Sequence, residues 1–298
     1  SAICILAFYS VVGGWSVNYL VKALTFKLHI DGESATNMFN NMVTSSWEPL
    51  IYMLIFLLLT GGVILGGIKN GIEKFSKIMM PVLFFMMIMI AIRSVTLPGA
   101  SEGISFLFKP DFSKITGDTL IKALGQAFFS LSIGCGTILT YSSYVKKNDN
   151  MLKTSSLTAI SDTVFALIAG IAIMPAVFAF NMSPSEGPGL VFIILPEIFC
   201  QIPGGSIIAI VFFFTLLIAA LTSSISLIEV AVTFIIEEFH LKRKVAILLS
   251  LVICTVLGSL SSLSQGILSD VKIFGLSFFD SFDYLSANIL MPLGGLFL

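Results

Sequence analysis

The chain has 298 residues, 56% of them hydrophobic and only 11% charged, with a mean hydropathy of +1.02. Soluble domains run near 25% charged, so this composition excludes a soluble enzyme core and a disordered chain. The 16 basic and 17 acidic residues leave a net charge of −1, which offers no general attraction for nucleic acid. The four cysteines (Cys4, Cys135, Cys200, Cys254) and two histidines are too scattered for a disulfide framework or a zinc cluster.

A helical membrane span needs about 20 largely apolar residues. Eight stretches qualify, at roughly 1–24, 47–68, 78–97, 123–144, 155–180, 207–236, 245–263 and 280–298. They lack the period-2 alternation of an outer-membrane barrel, so the fold class read here is an all-α polytopic membrane protein. Turn signals punctuate them at Asp31-Gly32, Lys69-Asn70-Gly71, Lys109-Pro110-Asp111, Lys146-Lys147-Asn148-Asp149 and Pro203-Gly204-Gly205. Loops 69–77, 145–154 and 237–244 hold nine Lys/Arg and four Asp/Glu, whereas loops 25–46, 98–122, 181–206 and 264–283 hold five and ten. Alternate loops therefore segregate by basic content, and the first set is expected on the cytoplasmic side. The chain starts and stops inside apolar runs, at Ser1 and Leu298, and residues 1–24 lack the basic start and cleavage site of a signal peptide. It reads as an interior piece of a longer transporter-like protein.

Ionisable groups within a span cost about 2.5–3.5 kcal/mol on insertion scales, so each invites a functional question. Glu48 and Arg93 lie near span ends, where they can pair or snorkel. Asp162, flanked by Ser161 and Thr163, and Glu229, six residues after Ser223, lie deeper and are expected to face the bundle interior. The run 125–136 (GQAFFSLSIGCG) sets three glycines, two serines and a glutamine in mid-span. Such a run packs closely against a neighbour, or breaks the helix and offers backbone groups to an ion or a carboxylate. Thr222 and Ser223 share a helix face with the Ala219 carbonyl, giving three neutral oxygens that suit a small hard cation. The same hydroxyls also bond preceding carbonyls in ordinary membrane helices. In the loop 181–206, Pro184, Pro188, Pro196 and Pro203 surround the apolar run Leu190–Leu195, too short to span. That loop reads as a re-entrant or capping element, a lid.

The run 125–136 with Thr140-Tyr141-Ser142-Ser143-Tyr144, together with Leu221-Thr222-Ser223-Ser224 and Tyr9 six residues before Trp15, resembles the neurotransmitter:sodium symporter family in its bacterial amino-acid transporter branch. The tracts 93–100 (RSVTLPGA) and 109–113 (KPDFS) extend the resemblance across nearly the whole chain. It implies a leucine-transporter-like fold of ten helices in two inverted repeats of five. The eight spans correspond to helices three to ten, with 1–97 the remainder of the first repeat and 123–298 the second.

By the same resemblance, Tyr9 bonds the substrate carboxylate and Ile5 lines the side-chain pocket. Phe129 closes over the substrate, and Ser130 and Ser132 lie on the unwound stretch. Cys135 sits at the pocket floor and Leu227 faces the cavity from the next helix. Ala219, Thr222 and Ser223 match one sodium site, and Ser130 with Asp162 the other, where the family often has asparagine. Animal members balance charge there with chloride, which a fixed aspartate makes unnecessary. Asp283 resembles the acidic half of an extracellular gate, and Tyr144 and Glu237 parts of a cytoplasmic one. The implied function is Na⁺-coupled symport of a neutral, hydrophobic amino acid across the bacterial inner membrane, with no enzymatic step. Rival readings are proton coupling through Asp162 or Glu229, a non-transporting amino-acid sensor, and an inactive fragment. Short cytoplasmic loops count against the sensor. The partners expected are the lipid bilayer and the amino acid.

Overall fold

The structure is a computed structural model that describes residues 1–28, 34–109, 111–144, 150–182 and 187–297. The turn signals at Asp31-Gly32, Pro110 and Lys146-Lys147-Asn148-Asp149, and Pro184 of the lid loop, lie outside the described residues. In chain order the helices are α1 (Ala2–Leu24), α2 (Ala35–Thr44), α3 (Glu48–Leu65), α4 (Lys74–Val95), α5 (Ala100–Phe108), α6 (Gly117–Ser130) and α7 (Thr137–Ser142). They are followed by α8 (Met151–Ala179), α9 (Leu195–Gln201), α10 (Gly205–Phe239), α11 (Arg243–Leu263), α12 (Phe278–Tyr284) and α13 (Met291–Phe297). π-Helical turns at Ile68–Glu73, Leu190–Ile194 and Leu285–Leu290 run into α4, α9 and α13.

Six helical stretches among the described residues are long and apolar enough to cross a bilayer: α1, α3, Ile68–Val95, α8, α10 and α11. The other two expected spans are interrupted. The stretch 123–144 divides into α6 and α7 at Leu131–Gly136, where Ser132, Gly134 and Gly136 all have positive φ (55°, 84° and 86°). The stretch 280–298 departs from regular α-helix only by the π-turn Leu285–Leu290, which joins α12 to α13 just before Pro292. The sequence anticipated a break in the first of these and not in the second.

α1 is the centre of the bundle, packed by α3, α10 and α11, while α4 and α5 pack on α8 and α10 joins the two groups. Small residues make this possible, because in lipid helices associate by close backbone approach and not by expulsion of water. A Cβ on Gly14 would lie 2.6 Å from the Met53 backbone nitrogen, and one on Gly13 would lie 2.5 Å from the Phe56 ring. Gly258 brings α11 against Ser10 of α1 in the same way. Thr60 of α3 and Ser224 of α10, both fully buried, share a hydrogen bond of 2.8 Å.

The span-end charges find local partners. Glu48, in the first turn of α3, accepts from Asn18 Nδ2 at 2.7 Å and lies 3.7 Å from Lys22 Nζ. Arg93 donates to Thr96 Oγ1 at 3.2 Å, near the end of α4. The run Leu190–Leu195 forms the π-turn and the start of α9. Phe192, 2% exposed, packs there against Trp15, Tyr19, Phe39 and Phe213.

Gly14→Ala is expected to destabilise the protein by about 1–3 kcal/mol, because the methyl group meets backbone and not a yielding side chain. Thermal unfolding in detergent, with Gly62→Ala as the control in open space, measures this.

Candidate functional site

A cavity of about 420 Å³ opens beside the α6–α7 break. It is lined by Ile5 and Tyr9 of α1, Met80 of α4, Gln126, Phe129, Ser130, Ser132, Cys135 and Thr137 around the break, Asp162 of α8, Thr222, Ser223, Ser226 and Leu227 of α10, and Met291 of α13. Every residue assigned above to the substrate pocket therefore faces one space: Ile5, Tyr9, Phe129, Ser130, Ser132, Cys135 and Leu227.

The geometry of the break follows from its residues. α6 ends in a Schellman closure, with Ile133 N–H donating to the Phe128 carbonyl at 2.9 Å and Ser132 N–H to the Phe129 carbonyl at 3.1 Å. The left-handed position in that closure is occupied by Ser132 and not by glycine, at a cost of roughly 1–2 kcal/mol. A strained residue with its side chain at the cavity wall is a recurrent mark of a functional site. Beyond it, Gly134 lies directly against the Met291 carbonyl, and Gly294 against the Gly134 carbonyl, so neither position admits a Cβ. The irregular backbone is thus seated on α13, and the Gly294-Gly295 pair makes the approach possible.

Polar groups gather on one part of the wall. Ser130 Oγ donates to Asp162 Oδ2 at 2.7 Å, bringing together two residues 32 apart in sequence. Thr222 Oγ1 donates to the Ala219 carbonyl at 2.8 Å, and Ser223 and Tyr9 line the same part of the cavity. Ala219 itself is not part of the cavity wall, although its carbonyl lies beside the Thr222 oxygen. A hydroxyl that donates its proton to a carbonyl keeps its lone pairs for another partner, which is the state in which it can face a cation. Gln126, Ser132, Thr137 and Ser226 add further polar groups, and Ile5, Leu227, Met80, Met291, Phe129 and Cys135 supply the apolar or sulfur-bearing part of the wall. The Cys135 thiol donates to the Ser132 carbonyl at 3.1 Å and lies 3.1 Å from Thr137 Oγ1.

The gate residues are distributed differently. Tyr144 hydroxyl donates to Glu229 Oε1 at 3.0 Å and lies 2.9 Å from Thr233 Oγ1. Arg243 grips the same carboxylate with two bonds, Nη1 to Oε1 at 2.8 Å and Nη2 to Oε2 at 2.7 Å. Glu229 is wholly buried, so the pair is held without water on the acid's side. Glu237, the other residue that the resemblance assigns to the cytoplasmic gate, lies exposed two turns further along α10. The Tyr144 phenol reaches Glu229 and Thr233. Asp283 is exposed on α12, outside the cavity wall.

Met80, Gln126, Thr137, Ser226 and Met291 were not assigned from sequence. Gln126, Thr137 and Ser226 are neighbours in the chain of residues that were, one helical turn or less away. Met80 and Met291 carried no signal, since a methionine in an apolar span looks like any lipid-facing residue.

A bundle of membrane-length helices around a broken helix, with a half-polar cavity at the break, defines a polytopic membrane protein with a candidate site at the break. The chain belongs to the sodium:neurotransmitter symporter family, whose description matches residues 34–293. It is 40% identical over 293 residues to the uncharacterized sodium-dependent transporter YhdH of Bacillus subtilis, and 41% identical over 298 residues to an uncharacterized sodium-dependent transporter of Haemophilus influenzae. Both alignments take in 98% of this chain and 65% of the relative, so the chain spans just under two thirds of the length of these curated relatives. Among solved structures, that of MhsT in complex with L-phenylalanine superposes with a TM-score of 0.91 at 43% identity. That match covers 99% of this chain and 67% of the MhsT chain.

Replacing Glu229 by alanine strands the Arg243 charge and is expected to cost about 3–5 kcal/mol. The double replacement Glu229→Leu with Arg243→Leu is expected to recover most of that loss, as a double-mutant cycle of thermal unfolding reads directly.

Proposed function

We propose that the protein carrying this chain is a sodium-coupled symporter of a neutral, hydrophobic amino acid that works by alternating access. The observation that carries the reading is the composition of the cavity wall. Oxygen donors and one carboxylate stand at Ser130, Asp162, Thr222 and Ser223, while Ile5, Phe129, Leu227, Met80 and Met291 give the same space an apolar part.

In this reading Ser130 and Asp162 hold one sodium ion, and the Ala219 carbonyl with the hydroxyls of Thr222 and Ser223 holds a second. Both sets are hard oxygen donors. Tyr9 receives the substrate carboxylate, Phe129 closes over it, and Ile5, Cys135 and Leu227 take the side chain. The cavity is roomy enough for an aromatic side chain, and MhsT, which this chain resembles at 43% identity, binds L-phenylalanine. An ion that touches the substrate carboxylate raises substrate affinity, and the substrate raises the ion's affinity by the same factor. Each sodium ion moved inward across ~100 mV releases about 2.3 kcal/mol in addition to its concentration term, which drives accumulation.

Asp162 places a fixed negative charge beside the first ion, so no external anion is needed for charge balance. Proton coupling through Glu229 is disfavoured, because that carboxylate is occupied by two Arg243 bonds and stands outside the cavity wall. Among the described residues of the cavity wall Asp162 is the one carboxylate, so proton coupling would have to run through it, and the choice of medium separates the two couplings.

Uptake of labelled phenylalanine by cells expressing the complete reading frame is expected in Na⁺ medium and not in K⁺ medium at the same pH. Equal uptake in both media would move the assignment to proton coupling. Asp162→Ala is expected to weaken apparent Na⁺ affinity by at least about tenfold, equivalent to 1.4 kcal/mol or more.

Replacing chloride with gluconate is expected to leave uptake within about twofold of its starting rate, a difference too small to reflect a lost ion site. Collapse of uptake in gluconate would overturn the charge-balance argument.

A further inference from the structure

The segment Leu190–Gln201 is fastened at both ends to one partner. At its start, the Tyr19 hydroxyl donates to the Phe192 carbonyl at 2.8 Å, across 173 residues of sequence. At its end, the Cys200 thiol lies 3.5 Å from the carbonyl of Leu28, four residues beyond α1. Tyr19 is fully buried, and its ring packs between Phe192 and Phe213, each with its centroid 5.1 Å away.

Phenylalanine would fill that space equally well. A buried hydroxyl is costly unless bonded, so the oxygen at this position is accounted for by the carbonyl it meets. The carbonyl is presented by the π-turn Leu190–Ile194, whose wider hydrogen-bond pattern sets it apart from a regular α-helical turn. Trp15, one turn below, is the other polar aromatic in this cluster, and its Nε1 has no partner.

The α1 side of the contact is held firmly. Lys22 Nζ stands 5.6 Å over the Tyr19 ring and 3.7 Å from Glu48, and Asn18 donates to that same Glu48. These contacts tie the outer end of α1 to α3 at the level of Tyr19. The inner half of the same helix carries Ile5 and Tyr9 into the cavity. Tyr9 and Tyr19 are ten residues apart, about 15 Å along a continuous helix.

We propose that Tyr19 is a positioning residue that locks the Leu190–Gln201 segment onto α1, so that this lid and the cavity wall hold one relative position when substrate is bound. The proposal rests on the transport reading of the cavity for its consequence, though not for the lock itself. Loss of the hydroxyl releases the lid while leaving the ring in place. Bound substrate then escapes more readily to the outer side.

Cys200 is a built-in reporter. It is the exposed cysteine, whereas Cys4 is half-buried and Cys135 and Cys254 are buried. Burial, and secondarily the Glu197 carboxylate, push its thiol upward from the ordinary cysteine value, so labelling is done at alkaline pH. The experiment compares wild type, Tyr19→Phe and Lys22→Gln in liposomes with Na⁺ and phenylalanine. The rate of Cys200 modification by a membrane-impermeant maleimide is followed by mass spectrometry, together with KM and kcat for uptake.

Tyr19→Phe is expected to label Cys200 about fivefold faster, the ratio corresponding to one ordinary hydrogen bond. Its KM is expected to rise by a similar factor with kcat changed less. Lys22→Gln, which keeps the hydroxyl, is expected to label within about twofold of wild type, well short of one lost hydrogen bond. Labelling of Tyr19→Phe at the wild-type rate overturns the lock. So does equal acceleration in Lys22→Gln, because the effect would then belong to the whole corner. Faster labelling in Tyr19→Phe with no sodium-dependent uptake by wild type supports the lock and removes only the transport reading.

Discussion

A polypeptide that interrupts a helix inside a bilayer must find partners for the backbone groups it frees, because lipid supplies none. The stretch Leu131–Gly136 meets that demand in two ways. The end of α6 folds its last carbonyls back onto Ser132 and Ile133, and the rest of the loop lies backbone to backbone against α13. Almost everything functional in the molecule is arranged around this one concession. Ser130 and Ser132 flank the bend, Cys135 and Thr137 follow it, and α1, α8 and α10 supply the opposing walls. The strain at Ser132 is sustained because the surrounding packing over-determines it.

α1 provides the counterpart to that irregular element. It is uninterrupted, deeply buried, and held to α3 and α11 by glycine contacts that leave little freedom to slide. One face of it enters the cavity with Ile5 and Tyr9, and its far end meets the Leu190–Gln201 segment with Tyr19. A stiff helix that contacts both places is a direct mechanical link between them, with no chain of intermediate side chains required.

The two deep carboxylates illustrate how surroundings assign a role. Asp162 is half-buried, meets the Ser130 hydroxyl and faces the cavity. Glu229 is fully buried and gripped by Arg243 and Tyr144, which ties α10 to the start of α11 and to the segment after α7. The same side-chain chemistry thus leaves one acid facing the space where an ion can bind and the other occupied in holding helices together. Depth in a span could not separate them, because both lie well inside apolar runs.

The length of the apolar runs and their lack of period-2 alternation determined the helical membrane architecture, since helices and closed barrels alone satisfy the polar backbone in lipid and a barrel needs that alternation. The glycines and serines of 125–136 determined where a helix would break, because such residues lower the cost of leaving the α-helical region. The resemblance carried by Tyr9, the 125–136 run and Leu221–Ser224 named most of the cavity wall. Packing decided the rest. The π-turn between α12 and α13, and the seating of Met291, Gly294 and Gly295 against Gly134 and Phe128, are announced by no local pattern. The pairing of Tyr144 and Arg243 with Glu229, and the places of Met80, Met291 and Gly294, were settled by which helices meet. Local sequence determines what a segment can do alone. Which neighbour it meets, and through which face, is a property of the assembled bundle.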